Sequence, residues 1–355
     1  GAAALSTGNG VQAQSACTTP TPSCIDWVPI AGGPGRTLVY GSYSLEKKNE
    51  RITRAFILIH GASRNADDYF RHALAAAFLA GALDNTIVLA PRFGSTGVGG
   101  CRDTLAQNEI SWTDCGAGVS WRAGGTGSAN QNVTSFDVID EVLRKLADKR
   151  VFPNLKSIVV AGHSAGGQYV NRYEMANQVH DRLGVPVSYI VANPSSYAYP
   201  DSLRPRVSAY ASEYPALPPG YTVPPSATPG GAFGRFGGSE DCTTYNDWPY
   251  GFKSRTGYTA KLSDDLLRRQ LAARPTTYIV GELDILPLYG FDSSCPAMAQ
   301  GPTRLARGLA FGKFVNEKFG AKHKTLVVEA CGHNARCMFT DDAVLDVIFG
   351  DRQVK

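Results

Sequence analysis

No stretch of this 355-residue chain approaches 18 consecutive apolar residues, so nothing in it reads as a membrane-spanning helix. Charge is sparse as well. Charged residues make up 19% of the chain and the formal net charge is +4, with the basic residues scattered rather than gathered into a stripe. That excludes the electrostatic footprint of a nucleic-acid-binding surface. There is no C-x-x-C pair, and no cysteine has a histidine at metal-ligand spacing, which argues against a zinc centre. No internal repeat and no interdomain linker interrupts the chain.

What is present is an ample apolar fraction, 43%, enough for a sizeable core. The eight cysteines are Cys17, Cys24, Cys101, Cys115, Cys242, Cys295, Cys331 and Cys337. Their even count and their places in or beside expected loops point to disulfides and a secreted protein, extracellular or periplasmic. Many pairings are possible. The local set is expected: 17 with 24, 101 with 115, 242 with 295, and 331 with 337. Residues 1–16 are small, polar and aperiodic, and no function is assigned to them.

The dominant rhythm is strand, helix, strand, helix. Strands are expected at 54–61, 86–90, 157–161, 188–192, 276–280 and 325–330. Helices are expected from Asn65 to about Gly81, from Ser135, over 168–180, 262–273 and 303–319, and over 342–349. The first of them places Tyr69, Phe70, Ala73, Leu74, Ala77 and Phe78 on one face. This pattern predicts an α/β fold: a mostly parallel central sheet with helices on both faces. One domain over 36–355 is expected, preceded by a disulfide-tethered arm over 1–35. Two irregular insertions, at about 94–130 and 194–259, follow strand ends, where such sheets carry their binding and catalytic loops.

Gly162-His163-Ser164-Ala165-Gly166 sits between the apolar run Ile158-Val159-Val160-Ala161 and the helix from Gln168. A G-x-S-x-G so placed puts its serine on a sharp strand-to-helix turn, with the hydroxyl raised above the sheet. A serine hydroxyl is a poor nucleophile until an oriented base takes its proton. Downstream stand His180, in the expected helix of the nucleophile, His323, between lysines and expected to be solvated, and His333. His333 follows the strand TLVVEA in a loop bracketed by Cys331 and Cys337, and is the favoured base. The strand TTYIV runs into Gly281-Glu282-Leu283-Asp284. Asp284 is the favoured acid and Glu282 its rival, two residues away on the same side of an extended chain. Developing negative charge needs preorganised donors. The backbone N–H of Ala165 is one; the other comes from the loop His60-Gly61-Ala62-Ser63, Ala62 first and Ser63 second, with His60 read as structural.

Together HGAS (60–63), GHSAGG (162–167), GELD (281–284) and CGH (331–333) resemble the α/β-hydrolase superfamily, in element order over roughly 36–350. Within it the chain looks most like secreted esterases and lipases, including the polyester-depolymerase and feruloyl-esterase-like branches. The resemblance implies a Ser/Asp/His mechanism through an acyl-enzyme, with no cofactor and no metal. A single glycine after His60 departs from the HGGG subgroup, and serine in the elbow departs from the haloalkane dehalogenases. The expected substrate is a small-molecule or polymeric ester. Arg64, Ser63, Trp112, Trp121, Trp248 and Tyr250 are candidate substrate contacts, the aromatic ones as walls contributed by the two insertions. A peptidase or amidase with the same triad is the runner-up, and a catalytically silent binding protein on the same fold is a third reading.

Overall fold

The computed structural model describes residues 14–97, 100–205, 233–236 and 240–350. Its strands are β1 (Ile25–Pro29), β2 (Arg36–Gly41), β3 (Arg54–Ile59), β4 (Thr86–Pro91), β5 (Ser157–His163), β6 (Val187–Ala192), β7 (Leu203–Pro205), β8 (Phe233–Arg235), β9 (Thr276–Gly281) and β10 (Lys324–Val328). The helices are α1 (Ala66–Leu79), α2 (Ser135–Leu146), α3 (Ala165–Ala176), α4 (Asp264–Ala273), α5 (Cys295–Met298), α6 (Arg304–Phe319), α7 (Ala335–Thr340) and α8 (Asp342–Phe349). Eight strands form one sheet in the order β1-β2-β4-β3-β5-β6-β9-β10, and β7 and β8 pair separately. From β4 to β10 all pairs are parallel; β2 is antiparallel to both of its neighbours.

The two-residue period of a strand explains why this sheet is covered on both sides. In β3, Ala55, Ile57 and Ile59 enter a core shared with α2, α3, α4 and α6. Their neighbours Phe56 and Leu58 face the opposite way, into a core shared with α1, α7 and α8. A strand buried on both faces reads as a continuous apolar run, and all six residues of β4 are buried.

All four expected disulfides are present: Cys17–Cys24, Cys101–Cys115, Cys242–Cys295 and Cys331–Cys337. Three expectations need correction. The stretch expected as a disulfide-tethered arm over 1–35 also supplies, from Ile25, an edge strand of the sheet. The helix after the elbow ends at Ala176, where Asn177 turns extended, so His180 lies outside it in a short 3-10 turn. Finally, the insertion over 194–259 is not wholly irregular: it contributes the β7–β8 pair. Residues 206–232 of it lie outside the described residues.

Candidate active site

β5 and α3 are joined by one residue. Ser164 has φ +59° and ψ −119°, a backbone state that few non-glycine residues adopt and that surrounding structure must enforce. The enforcement is visible on both sides. A side chain at Gly162 would run into the Gly166 carbonyl, and one at Gly166 into the Ile59 and His60 carbonyls. Only glycine allows strands and helix to approach so closely. The Ser164 N–H donates to the Ala192 carbonyl at 2.9 Å, which pins the turn to β6. Ser164 is also the N-cap of α3, so the Ala165 N–H belongs to the first turn, whose donors have no intrahelical partner.

The loops after β9 and β10 bring two more groups to the serine. His333 Nε2 lies 2.9 Å from Ser164 Oγ, and His333 Nδ1 lies 2.7 Å from Asp284 Oδ2. With a carboxylate accepting from Nδ1–H, Nε2 is left as the acceptor for the serine hydroxyl. Asp284 is 2% exposed, and its second oxygen faces the buried Arg304 guanidinium at 3.4 Å. Arg304 also donates to Ser195 Oγ and to the Leu288 and Tyr289 carbonyls, so it ties the acid to the rest of its loop. Glu282 does not join this group. The chain turns immediately after β9, with the Asp284 N–H bonded back to the Gly281 carbonyl. Extended-chain alternation therefore fails, and Glu282 faces the Ala330 N–H instead.

Of the other histidines, His60 is fully buried: its Nε2 accepts from the Phe93 N–H at 2.9 Å and its Nδ1–H donates to the Gly61 carbonyl. The Gly61 oxygen also accepts from the Arg64 N–H. A carbonyl held twice fixes the Gly61–Ala62 peptide plane, and a trans peptide then aims the Ala62 N–H the opposite way. Burial pulls the His60 pKa down to about 4, so the ring stays neutral. His323 is buried, not solvated; Tyr278 Oη and the Arg274 carbonyl hold its two nitrogens, partners that its flanking lysines give no hint of.

A cavity of about 470 Å³ opens over the serine. Gly61, Ala62, Ser63, Asn65, Tyr69, His72, His163, Ser164, Tyr289 and His333 contribute to its lining. Of the expected substrate contacts, Ser63 is there. Trp112, Trp121 and Trp248 are not: they are 1%, 1% and 4% exposed and belong to the core of the molecule. Tyr250 lies outside this cavity and donates to Asp292 Oδ2. Arg64 is engaged internally, bidentate to Asp103 and bonded to the Ala62 carbonyl at 2.6 Å. A sequence pattern cannot foresee a partner 39 residues away. Tyr69 had a signal, its place on the inward face of α1, but that periodicity marks core and site alike. Among the described residues, no group of three or more His, Cys, Asp or Glu side chains is arranged to hold a metal ion.

Among solved structures, poly(aspartic acid) hydrolase-1 from Sphingomonas sp. KT-1 is similar to this chain at 20% identity and a TM-score of 0.58, covering 92% of this chain and 98% of that one. The poly(3-hydroxybutyrate) depolymerase LpqC from Bordetella parapertussis is similar at 19% identity and a TM-score of 0.57, covering 92% and 90%. No curated protein matches by sequence. Residues 56–347 match the alpha/beta hydrolase family, a span that holds the elbow, the loops after β9 and β10 and every parallel strand except the first two residues of β3. With the strand order, the serine elbow and this match in agreement, the chain belongs to the alpha/beta hydrolase family.

Proposed function

We propose that this hydrolase is a secreted serine esterase that cleaves carboxylic esters through Ser164, His333 and Asp284. The observation that carries the reading is the continuous line of hydrogen bonds from Ser164 Oγ to His333 at 2.9 Å and on to Asp284 at 2.7 Å. In the first step Ser164 Oγ bonds to the ester carbonyl carbon, the π pair moves to the carbonyl oxygen, and the serine proton passes to His333 Nε2. Asp284, kept beside Arg304, orients the ring and stabilises the imidazolium. The Ala62 and Ala165 N–H groups receive the oxyanion. Collapse expels the alcohol, which takes the proton from His333. Water then repeats the sequence on the acyl-enzyme and releases the acid. The four disulfides support an oxidising, extracellular or periplasmic setting. Among the described residues no helix is long and apolar enough to cross a membrane.

The test is a fluorophosphonate probe with peptide mapping, alongside turnover of a short p-nitrophenyl ester and an amino-acid anilide. A single adduct on Ser164 is expected, with ester turnover falling roughly 10⁵- to 10⁶-fold in Ser164→Ala. Anilide cleavage without ester cleavage would replace the esterase reading with an amidase one. No adduct on folded, oxidised protein would move a binding role to the front.

A further inference from the structure

Tyr69, on α1, was not among the residues that sequence placed in the chemistry, yet its hydroxyl is oriented by a fixed chain of hydrogen bonds that starts on the other side of the sheet's catalytic edge. The chain starts at Asn193, just past β6. Its Oδ1 accepts from the Gly281 N–H at 2.8 Å, which fixes which end of the amide is oxygen. The Nδ2 end therefore faces His163 Nε2 at 3.1 Å and the Gly332 carbonyl at 3.4 Å. An amide nitrogen only donates, so His163 Nε2 must present its lone pair. His163 is buried, and burial holds its pKa well below the usual range; the neutral ring carries its one proton on Nδ1. That proton is donated to Tyr69 Oη, 3.1 Å away.

The Tyr69 oxygen is thus an acceptor toward His163. Because His163 Nδ1 already carries a proton, the hydroxyl cannot donate to it and directs its own proton elsewhere. Tyr69 is buried except toward the cavity, which it lines together with Gly61, Ala62, Ser164 and His333. A Cβ placed on Gly61 would lie 3.0 Å from Tyr69 Oη and 3.5 Å from Ser164 Cβ. Hydroxyl, oxyanion loop and nucleophile therefore share one wall.

We propose that Tyr69 is a catalytic residue whose O–H donates to the oxyanion of the tetrahedral adduct on Ser164, beside the Ala62 and Ala165 N–H groups, and that His163 and Asn193 are positioning residues that keep that proton turned toward the cavity. The proposal rests on the serine-hydrolase reading above. It also gives the residue between Gly162 and Ser164 a purpose: His163 is not a second base but the fixed donor that sets the direction of the tyrosine.

Tyr69→Phe tests it, because only the oxygen is removed. Steady-state turnover of a short p-nitrophenyl ester is measured beside inhibition by a trifluoromethyl ketone, whose serine adduct carries the same oxyanion. A loss of kcat/KM of about 10- to 100-fold is expected, at or below what deletion of one oxyanion donor costs. The inhibition constant should rise by a matching factor with KM little changed, and Tm should fall by a few degrees because the His163 N–H loses its partner. Asn193→Asp supplies the second arm. An aspartate accepts from Nε2–H, which reverses the ring's tautomer and turns the tyrosine proton back to Nδ1; adding Tyr69→Phe to it should then weaken ketone binding no further. A folded Tyr69→Phe protein with ketone affinity within twofold of wild type would overturn the proposal, even if turnover had fallen. A wild-type protein inert toward both ester and ketone would instead bring down the serine-hydrolase reading, and this proposal with it.

Discussion

Trp121 and Tyr289 both sit on loops that leave the carboxyl ends of parallel strands, yet Trp121 is 1% exposed and Tyr289 72%. The difference follows from what each loop must do to be stable. The loop after β4 is long, and ordering so many residues costs conformational entropy that only a core of its own can offset. Trp121 supplies that core: it stacks on Phe93 with ring centroids 5.2 Å apart and lies 4.8 Å from His60, while Cys101–Cys115 closes the segment. The loop after β9 is short and is held by its backbone instead, with Arg304 binding the Leu288 and Tyr289 carbonyls. Its side chains are left facing outward. Leu283, Leu286 and Leu288 are all exposed there, and the Tyr289 ring lies parallel to His333 at 6.0 Å. Aromatic richness in an insertion therefore marked self-packing, and the short loop supplied the mouth of the site.

The comparison can be broken most forcefully at Trp121. Trp121→Ala should destabilise the fold by about 3–5 kcal/mol, the range for truncating a buried aromatic side chain. Denaturant unfolding measures it; a small stability loss with a large rise in KM would return Trp121 to the substrate wall.

A second set of histidines, in the core and beside the cavity, is held away from bulk water to differing degrees. Burial lowers the pKa of His60, His72, His163, His180 and His323, to about 4 for His60, His72 and His180. A depressed histidine binds its proton less readily when folded than when unfolded. Stability should then be full above the unfolded value near 6.5 and fall as pH drops toward 4. Calorimetric Tm values between pH 7.5 and 4.5 should decline steadily with acid, whereas a flat profile would mean that these rings are solvated.

The smallest effect is expected at the mouth. Tyr289→Ala should raise KM for an aryl ester about two- to fivefold while leaving kcat and Tm nearly unchanged, since an exposed ring contributes little to folding. A lowered Tm would show instead that the ring holds its own loop.

Much of this was legible in the residues. The apolar runs and their breakers fixed the parallel strands to within a few residues, and the strand-to-helix context of Ser164 marked the elbow. The local cysteine spacings matched the disulfides. His333 and Asp284 stood out because they follow strands, where loops converge. β1 and β2 escaped notice: β1 is a short, only partly buried edge strand, and β2 beside it carries a brief apolar run without the length of those at the centre.

Sequence by itself determined what is local: element type, turn chemistry, and glycines where backbones meet. A period of 2 or 3.6 says which residues share a face, and nothing about what that face meets. Tertiary structure alone decided the pairings across long separations. Arg64 was claimed by Asp103, Asp284 by Arg304, and His163 by Asn193 and Tyr69, 30 and 94 residues away in sequence. Such contacts depend on the whole sheet, because it is the sheet's registers that bring distant loops to one edge.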